Sequence, residues 1–230
     1  MCLIGIVGRV SVNKDEQDII QVTDAIRKAM MIYDDILCIS LLPTEKKSIH
    51  EVIPGDDVVD KKIDFILDKC DAFIIPGGTD FYKFDEYVIN YAINNDKPLL
   101  AICLGFQCLC SMFAQFRNKH EMVRLLENNS HCGQPNSYQH DVLIKKNSLL
   151  YDIVGLEQIP VNSVHHYVVD FPIDRLKVNA EALDGIIEGV EYPGKRFIMG
   201  LQWHPEYLMD NNSIKIFDKF VDVIIASHND

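Results

Sequence analysis

No apolar run in this chain reaches the roughly 18 residues that cross a bilayer, so a membrane-spanning helix is not expected. The opening "MCLIGIVGRVSVNKDEQD" lacks a basic region, a long apolar core and a cleavage site, which argues against a secretory signal. Positive charge is scarce: 22 Lys and Arg stand against 34 Asp and Glu, for a net charge of −12. Nucleic acid and anionic membrane both demand a basic surface, so neither is an expected partner. There is no repeat, no low-complexity tract and no Pro/Gly/Ser linker, so 230 residues read as one domain, 1–230, with a sizeable core. The seven cysteines are odd in number and follow no framework spacing. They read as reduced thiols of a cytoplasmic protein. Without a Cys-x-x-Cys pair or a matched His spacing, no metal and no cofactor are expected.

What is there is ordinary in bulk, with 48% apolar and 24% charged residues, and informative in order. Short apolar runs without alternation, "CLIGIVG" (2–8), "DILCISLLP" (35–43), "AFIIPGG" (72–78) and "PLLAIC" (98–103), alternate with helical patterns. The first such pattern is "DEQDIIQVTDAIRKAMMIY" (15–33), with Ile19, Ile20, Val22, Ile26, Ala29 and Met30 on one side. "DKKIDFILDKC" (60–70), "DEYVINYAINND" (85–96) and "GFQCLCSMFAQF" (105–116) come next, and "NSIKIFDKFVDVIIAS" (212–227) closes the chain as a helix. The fold class is α/β: a mostly parallel central sheet covered by helices on both faces. Residues 120–200 are less regular and predict a smaller, partly antiparallel β region. Residues 115–140 predict a loop-rich segment at the mouth of a pocket, where specificity is set.

In parallel sheets, ligands bind beyond the carboxyl ends of the strands. Two features fall there: Gly77-Gly78, and Cys103 in "AICLGFQ". A cysteine in an arbitrary place is a small buried hydrophobe, and Cys108 and Cys110 read that way. Cys103 differs, because small neighbours at Ala101 and Gly105 suit a sharp strand-to-helix turn that exposes one side chain. The helix after it turns its positive end toward the sulfur and favours thiolate. A thiolate needs a base with an oriented partner. "GLQWHPEYL" offers His204, kept out of a helix by Pro205, with Glu206 two residues on and on the same side of an extended chain. The two glycines would leave backbone N–H groups open to an oxyanion. Any one of these features has a plain structural reading as a turn or core residue; the combination in this order is specific.

With those residues in place, the chain resembles the class I glutamine amidotransferases, and within them the γ-glutamyl-γ-aminobutyrate hydrolase-like branch. "LIGIVGR", "IIPGGTD", "AICLGFQ", "VNSVHH", "ALDGIIEGVE" and "GLQWHPE" carry the resemblance over nearly the whole length. It implies a Cys103-His204-Glu206 triad that attacks the γ-amide of a glutamyl group. It also implies an oxyanion hole from the N–H groups of Gly78 and Leu104. Substrate-binding positions would be Gly77, Gln107, Asn162, Ser163, Val164, His165 and His166. For His165-His166 the other reading is a pair of exposed loop histidines, and a zinc site there would need further ligands that the sequence does not name. Leu104 is closer to the amidotransferase elbow than to the Arg frequent in hydrolases.

These readings are compatible with three functions. The first is a free-standing hydrolase of a small γ-glutamyl conjugate. The second is a glutaminase that delivers ammonia from glutamine to a separate ligase partner. The chain ends 24 residues after Glu206, so a fused synthetase is not expected. The third is a non-catalytic protein that kept the fold, against which the intact triad argues. A homodimer is left open.

Overall fold

A computed structural model of the chain describes residues 1–42, 61–79, 82–114, 123–126 and 130–228. The expected specificity segment 115–140 lies partly outside the described residues. Five strands run parallel in the order β4 (Ile36–Leu41), β1 (Cys2–Val7), β5 (Ala72–Ile75), β6 (Leu99–Ile102) and β13 (Ile198–Leu201). Every residue of β5, β6 and β13 is buried, which is why these segments show no polar alternation. The antiparallel region is not a separate layer. It continues the same sheet from β13 through β12 (Ile187–Glu191), β11 (Lys177–Ala182), β8 (His140–Ile144) and β9 (Gln158–Val161).

Helices cover both faces. On one side α1 (Asp24–Met30), α5 (Leu149–Val154) and α7 (Asn211–His228) contribute Ile26, Met30, Leu150, Phe217 and Phe220 to a core with Ile4 and Ile74. On the other, α2 (Asp64–Leu67), α3 (Lys83–Asn94) and α4 (Leu104–Met112) bring Leu67, Phe84, Val88, Phe106 and Leu109 against Phe73 and Ile75. Among the described residues no helix is long and apolar enough to cross a membrane. All seven cysteines are free thiols.

The helix expected over 15–33 begins only at Asp24. Residues 18–21 are instead a strand that pairs antiparallel with Arg9–Val12. Asn13 causes the difference: its side-chain oxygen accepts from the N–H groups of Asp15 and Gln17, both at 2.9 Å, and closes a tight turn. Ile19 and Ile20 then point to opposite sides of a strand, and Ile20 is exposed. Their spacing fitted a helix, but the turn chemistry upstream overrode it.

Candidate active site

Strand register brings the site together. Ile75 pairs with Ala101 in β5 and β6, and Leu201 pairs with Ile102 in β13 and β6. Three adjacent strands therefore end level with one another. Directly beyond their carboxyl ends lie Pro76-Gly77-Gly78, Cys103 and Gln202-Trp203-His204.

Cys103 caps α4 with φ 52° and ψ −105°, a conformation that costs a non-glycine residue about 1–3 kcal/mol. Its N–H donates to the Leu201 carbonyl at 2.8 Å and its carbonyl accepts from Gln107 N–H at 3.0 Å, which pins the turn from both sides. Gly105 is obligatory there: a Cβ would lie 2.2 Å from the Ile75 carbonyl oxygen. Cys2, Cys38, Cys70, Cys108 and Cys110 pack in or against the two cores, and Cys132 lies outside them. Burial pushes the thiols of Cys38 and Cys70 up to about 11 and that of Cys110 well above its ordinary value.

His204 precedes the short helix α6 (Pro205–Leu208), with Pro205 at its first position. Glu206 thus reaches back from a helical turn, not along an extended chain, and its Oε1 lies 2.8 Å from His204 Nδ1. That contact leaves Nε2 to the sulfur side. Burial disfavours the imidazolium, but the carboxylate of Glu206 and the Cys103 sulfur outweigh it and hold His204 well above its ordinary value. Gly77 sits between the side chains of His204 and Cys103. A Cβ on it would be 2.9 Å from His204 Cε1 and 3.4 Å from Cys103 Cβ. Its contribution is absent volume, which lets ring and thiol converge. Gly78 lies beside Leu104, whose side chain would be 3.0 Å from an added Cβ. As the first residue of α4, Leu104 has an N–H with no intrahelical acceptor.

The remaining expected residues divide. Gln107 is buried beside the site, and its amide nitrogen donates to the Tyr167 carbonyl and Gln202 Oε1, each at 3.0 Å. Asn162 is buried and turned toward the base: its Oδ1 accepts from His204 N–H at 2.9 Å, and its Nδ2 donates to the His204 carbonyl at 2.9 Å. Both bonds hold the backbone of His204. Ser163 donates to the His131 carbonyl at 2.8 Å, and Val164 bridges Cys132. His166 Nδ1 lies 3.0 Å from Cys132 Sγ. His165 is buried and turned toward Glu188. No hydrogen bond, ion pair or ring contact joins any of these four to Cys103 or His204 among the described residues.

Sequence reading missed Arg9 and Asp85. The Arg9 guanidinium is buried, pairs with Asp85 at 2.6 Å, and donates from Nε to the carbonyls of Pro76 and Gly77 at 3.2 Å each. It fixes the backbone of the glycine pair by its carbonyl side. The signal was available: a charged residue just past β1, at the same sheet edge as Cys103.

A family model described as peptidase C26 matches residues 82–206. A Rickettsia prowazekii protein named as glutamine amidotransferase-like is 26% identical, over 69% of this chain and 79% of its own. The γ-glutamyl-γ-aminobutyrate hydrolase of Escherichia coli is 29% identical, over 58% of this chain and 56% of its own. The CTPS glutaminase domain of Trypanosoma brucei, solved with bound acivicin, superposes with a TM-score of 0.70 at 18% identity, over 98% of this chain and 94% of that one. With the match spanning more than half of the sequence, the chain belongs to the peptidase C26 family.

Proposed function

We propose that the protein is a thiol-dependent hydrolase that cleaves the γ-glutamyl amide bond of a small γ-glutamyl conjugate. The observation that carries this is the nearness of Cys103, Gly77 and the Glu206-bound His204 in one chain, with no second subunit needed to bring them into reach. Cys103 sulfur, its proton passed to His204 Nε2, attacks the γ-carbonyl carbon. The oxygen takes up the negative charge, and the N–H groups of Gly78 and Leu104 stabilise it. His204 returns the proton to the leaving amine, and a glutamyl thioester remains on Cys103. Water, deprotonated by His204, then attacks the thioester carbonyl. Glutamate leaves and the thiol is restored. Glu206 orients the ring and balances the imidazolium throughout. The Escherichia coli relative's named activity supports this reading.

A second reading has its own observation. Leu104 is an amidotransferase-type elbow residue, which suits a glutaminase that hands ammonia to a separate ligase. The deciding experiment is kcat/KM on a panel of γ-glutamyl amines and on glutamine, with the purified chain alone. Cleavage of the conjugates supports the hydrolase. Inactivity across the panel, with glutaminase activity restored by a co-encoded ligase, overturns it.

A further inference from the structure

Away from the Cys103 site, four side chains from separate parts of the chain converge: His131 from a turn, His140 at the start of β8, His165 from the "VNSVHH" segment, and Glu188 in β12. One ligand-type atom from each lies within 4.8 Å of all the others. His131, His165 and Glu188 are buried, and His140 reaches solvent with 17% of its side chain.

We propose that His131 Nδ1, His140 Nε2, His165 Nε2 and Glu188 Oε1 form a tetrahedral site for a divalent transition metal, zinc by its donor set. Three observations carry it. First, the distances match. Bonds of about 2.0–2.1 Å to a tetrahedral ion place neighbouring ligand atoms about 3.3 Å apart. From Glu188 Oε1 the structure has 3.1 Å to His131, 3.4 Å to His165 and 3.8 Å to His140. Second, each ring's other nitrogen faces an oxygen to which it can donate. His131 Nε2 is 3.0 Å from Asp184 Oδ2, His165 Nδ1 is 3.0 Å from the Tyr167 carbonyl, and His140 Nδ1 is 3.3 Å from the Asp141 carbonyl. Donation to those acceptors turns a lone pair of every ring toward Glu188, the outer-shell pattern of metal-bound histidine. Third, the inward atoms are otherwise unsatisfied. Those three nitrogens and both Glu188 oxygens are buried without a hydrogen-bond partner among the described residues. Three lone pairs facing a buried carboxylate repel one another, and burying such groups unpaired is costly. A cation at their centre removes both penalties at once.

The donor set is neutral imidazole with one carboxylate, which suits zinc better than calcium or magnesium. With four protein ligands the site is closed, so its role is structural. It ties the 131 turn and the 165 segment to β12. That segment also carries Asn162, which clamps the backbone of His204.

The test uses the full chain, stripped with chelator, then titrated with Zn2+ and separately with Co2+. The expected result is one zinc per chain by elemental analysis, and the intense visible absorption of tetrahedral Co2+. His140→Ala and Glu188→Gln should each weaken zinc binding by about a hundredfold or more, and Asp184→Asn by about tenfold. Cys132→Ser should leave it unchanged, because the nearby Cys132–His166 pair lies outside the proposed ligand set. His140 and Asp184 are partly exposed, so those two variants carry the test if Glu188→Gln fails to fold. Absence of stoichiometric zinc in the wild type, wild-type affinity in His140→Ala, or loss of binding in Cys132→Ser would each overturn the proposal.

Discussion

Gly77→Ala tests whether the reacting pair depends on missing volume. The new Cβ would lie 2.9 Å from His204 Cε1, while carbon atoms rest about 3.5–4.0 Å apart. The ring must retreat by about 0.6–1 Å. It is not free to do so, since Glu206 holds Nδ1 at 2.8 Å and Tyr207 packs edge-on against the ring. A displacement of about 1 Å in a reacting group costs on the order of a hundredfold in rate, so kcat should fall about ten- to a hundredfold. KM should move little, because ring and thiol act mainly in the bond-making step. Gly77 is not among the residues with positive φ, so alanine adds no backbone strain. The lower entropy of the unfolded chain, about 0.4–1 kcal/mol, works against the cost of the close contact, and Tm should stay near the wild-type value. The assay is kcat/KM on a γ-glutamyl amide that the wild type cleaves, with the rate of Cys103 alkylation and a thermal melt beside it. Wild-type kcat in a folded Gly77→Ala protein would refute the reasoning.

Cys103→Ser should fold normally, lose turnover and form no thioester; full activity would remove Cys103 from the mechanism. The strain at φ 52° predicts that Cys103→Gly is more stable than Cys103→Ala by about 1 kcal/mol or more, read from urea melts, and equal midpoints would deny the strain. Glu206→Gln removes the leading contribution that opposes burial and holds His204 high. The His204 value should drop, and the alkaline limb of kcat/KM should move to lower pH; an unmoved limb means that the carboxylate does not set the base. Because the folded value is raised, the pair's stabilisation is complete below the unfolded value of about 6.5 and is lost as pH climbs through the folded value. Wild-type Tm should therefore decline with pH in that range more steeply than Glu206→Gln. Asn162→Ala strands the N–H of His204, at about 1–3 kcal/mol if it stays dry, while the His204 carbonyl keeps the Tyr207 N–H at 3.2 Å, and the change should lower both Tm and kcat; an effect on KM alone would make Asn162 a substrate ligand.

Local chemistry made much of this protein legible in one dimension. Unalternating apolar runs report burial on both faces, so the parallel strands β1, β4, β5 and β6 stand out. Gly105 reports a turn too tight for a side chain, and the order Gly-Gly, Cys, His-x-Glu marks the residues that the fold brings to one sheet edge. The sequence could not say which side chains meet across the sheet. Gly77 read as a substrate-binding position in a glycine pair open to an oxyanion, and only the register of β5, β6 and β13 shows it as the gap between thiol and ring. Asn162 and His204 are 42 positions apart, and nothing in either segment points to a clamp. His131, His140, His165 and Glu188 follow no metal-ligand spacing, because they come from turns and strands that only the antiparallel end of the sheet lays side by side. Periodicity and composition act over a few residues, so they fix elements and turns. Convergence of distant groups is a property of strand order and register, and that was decided by the tertiary structure.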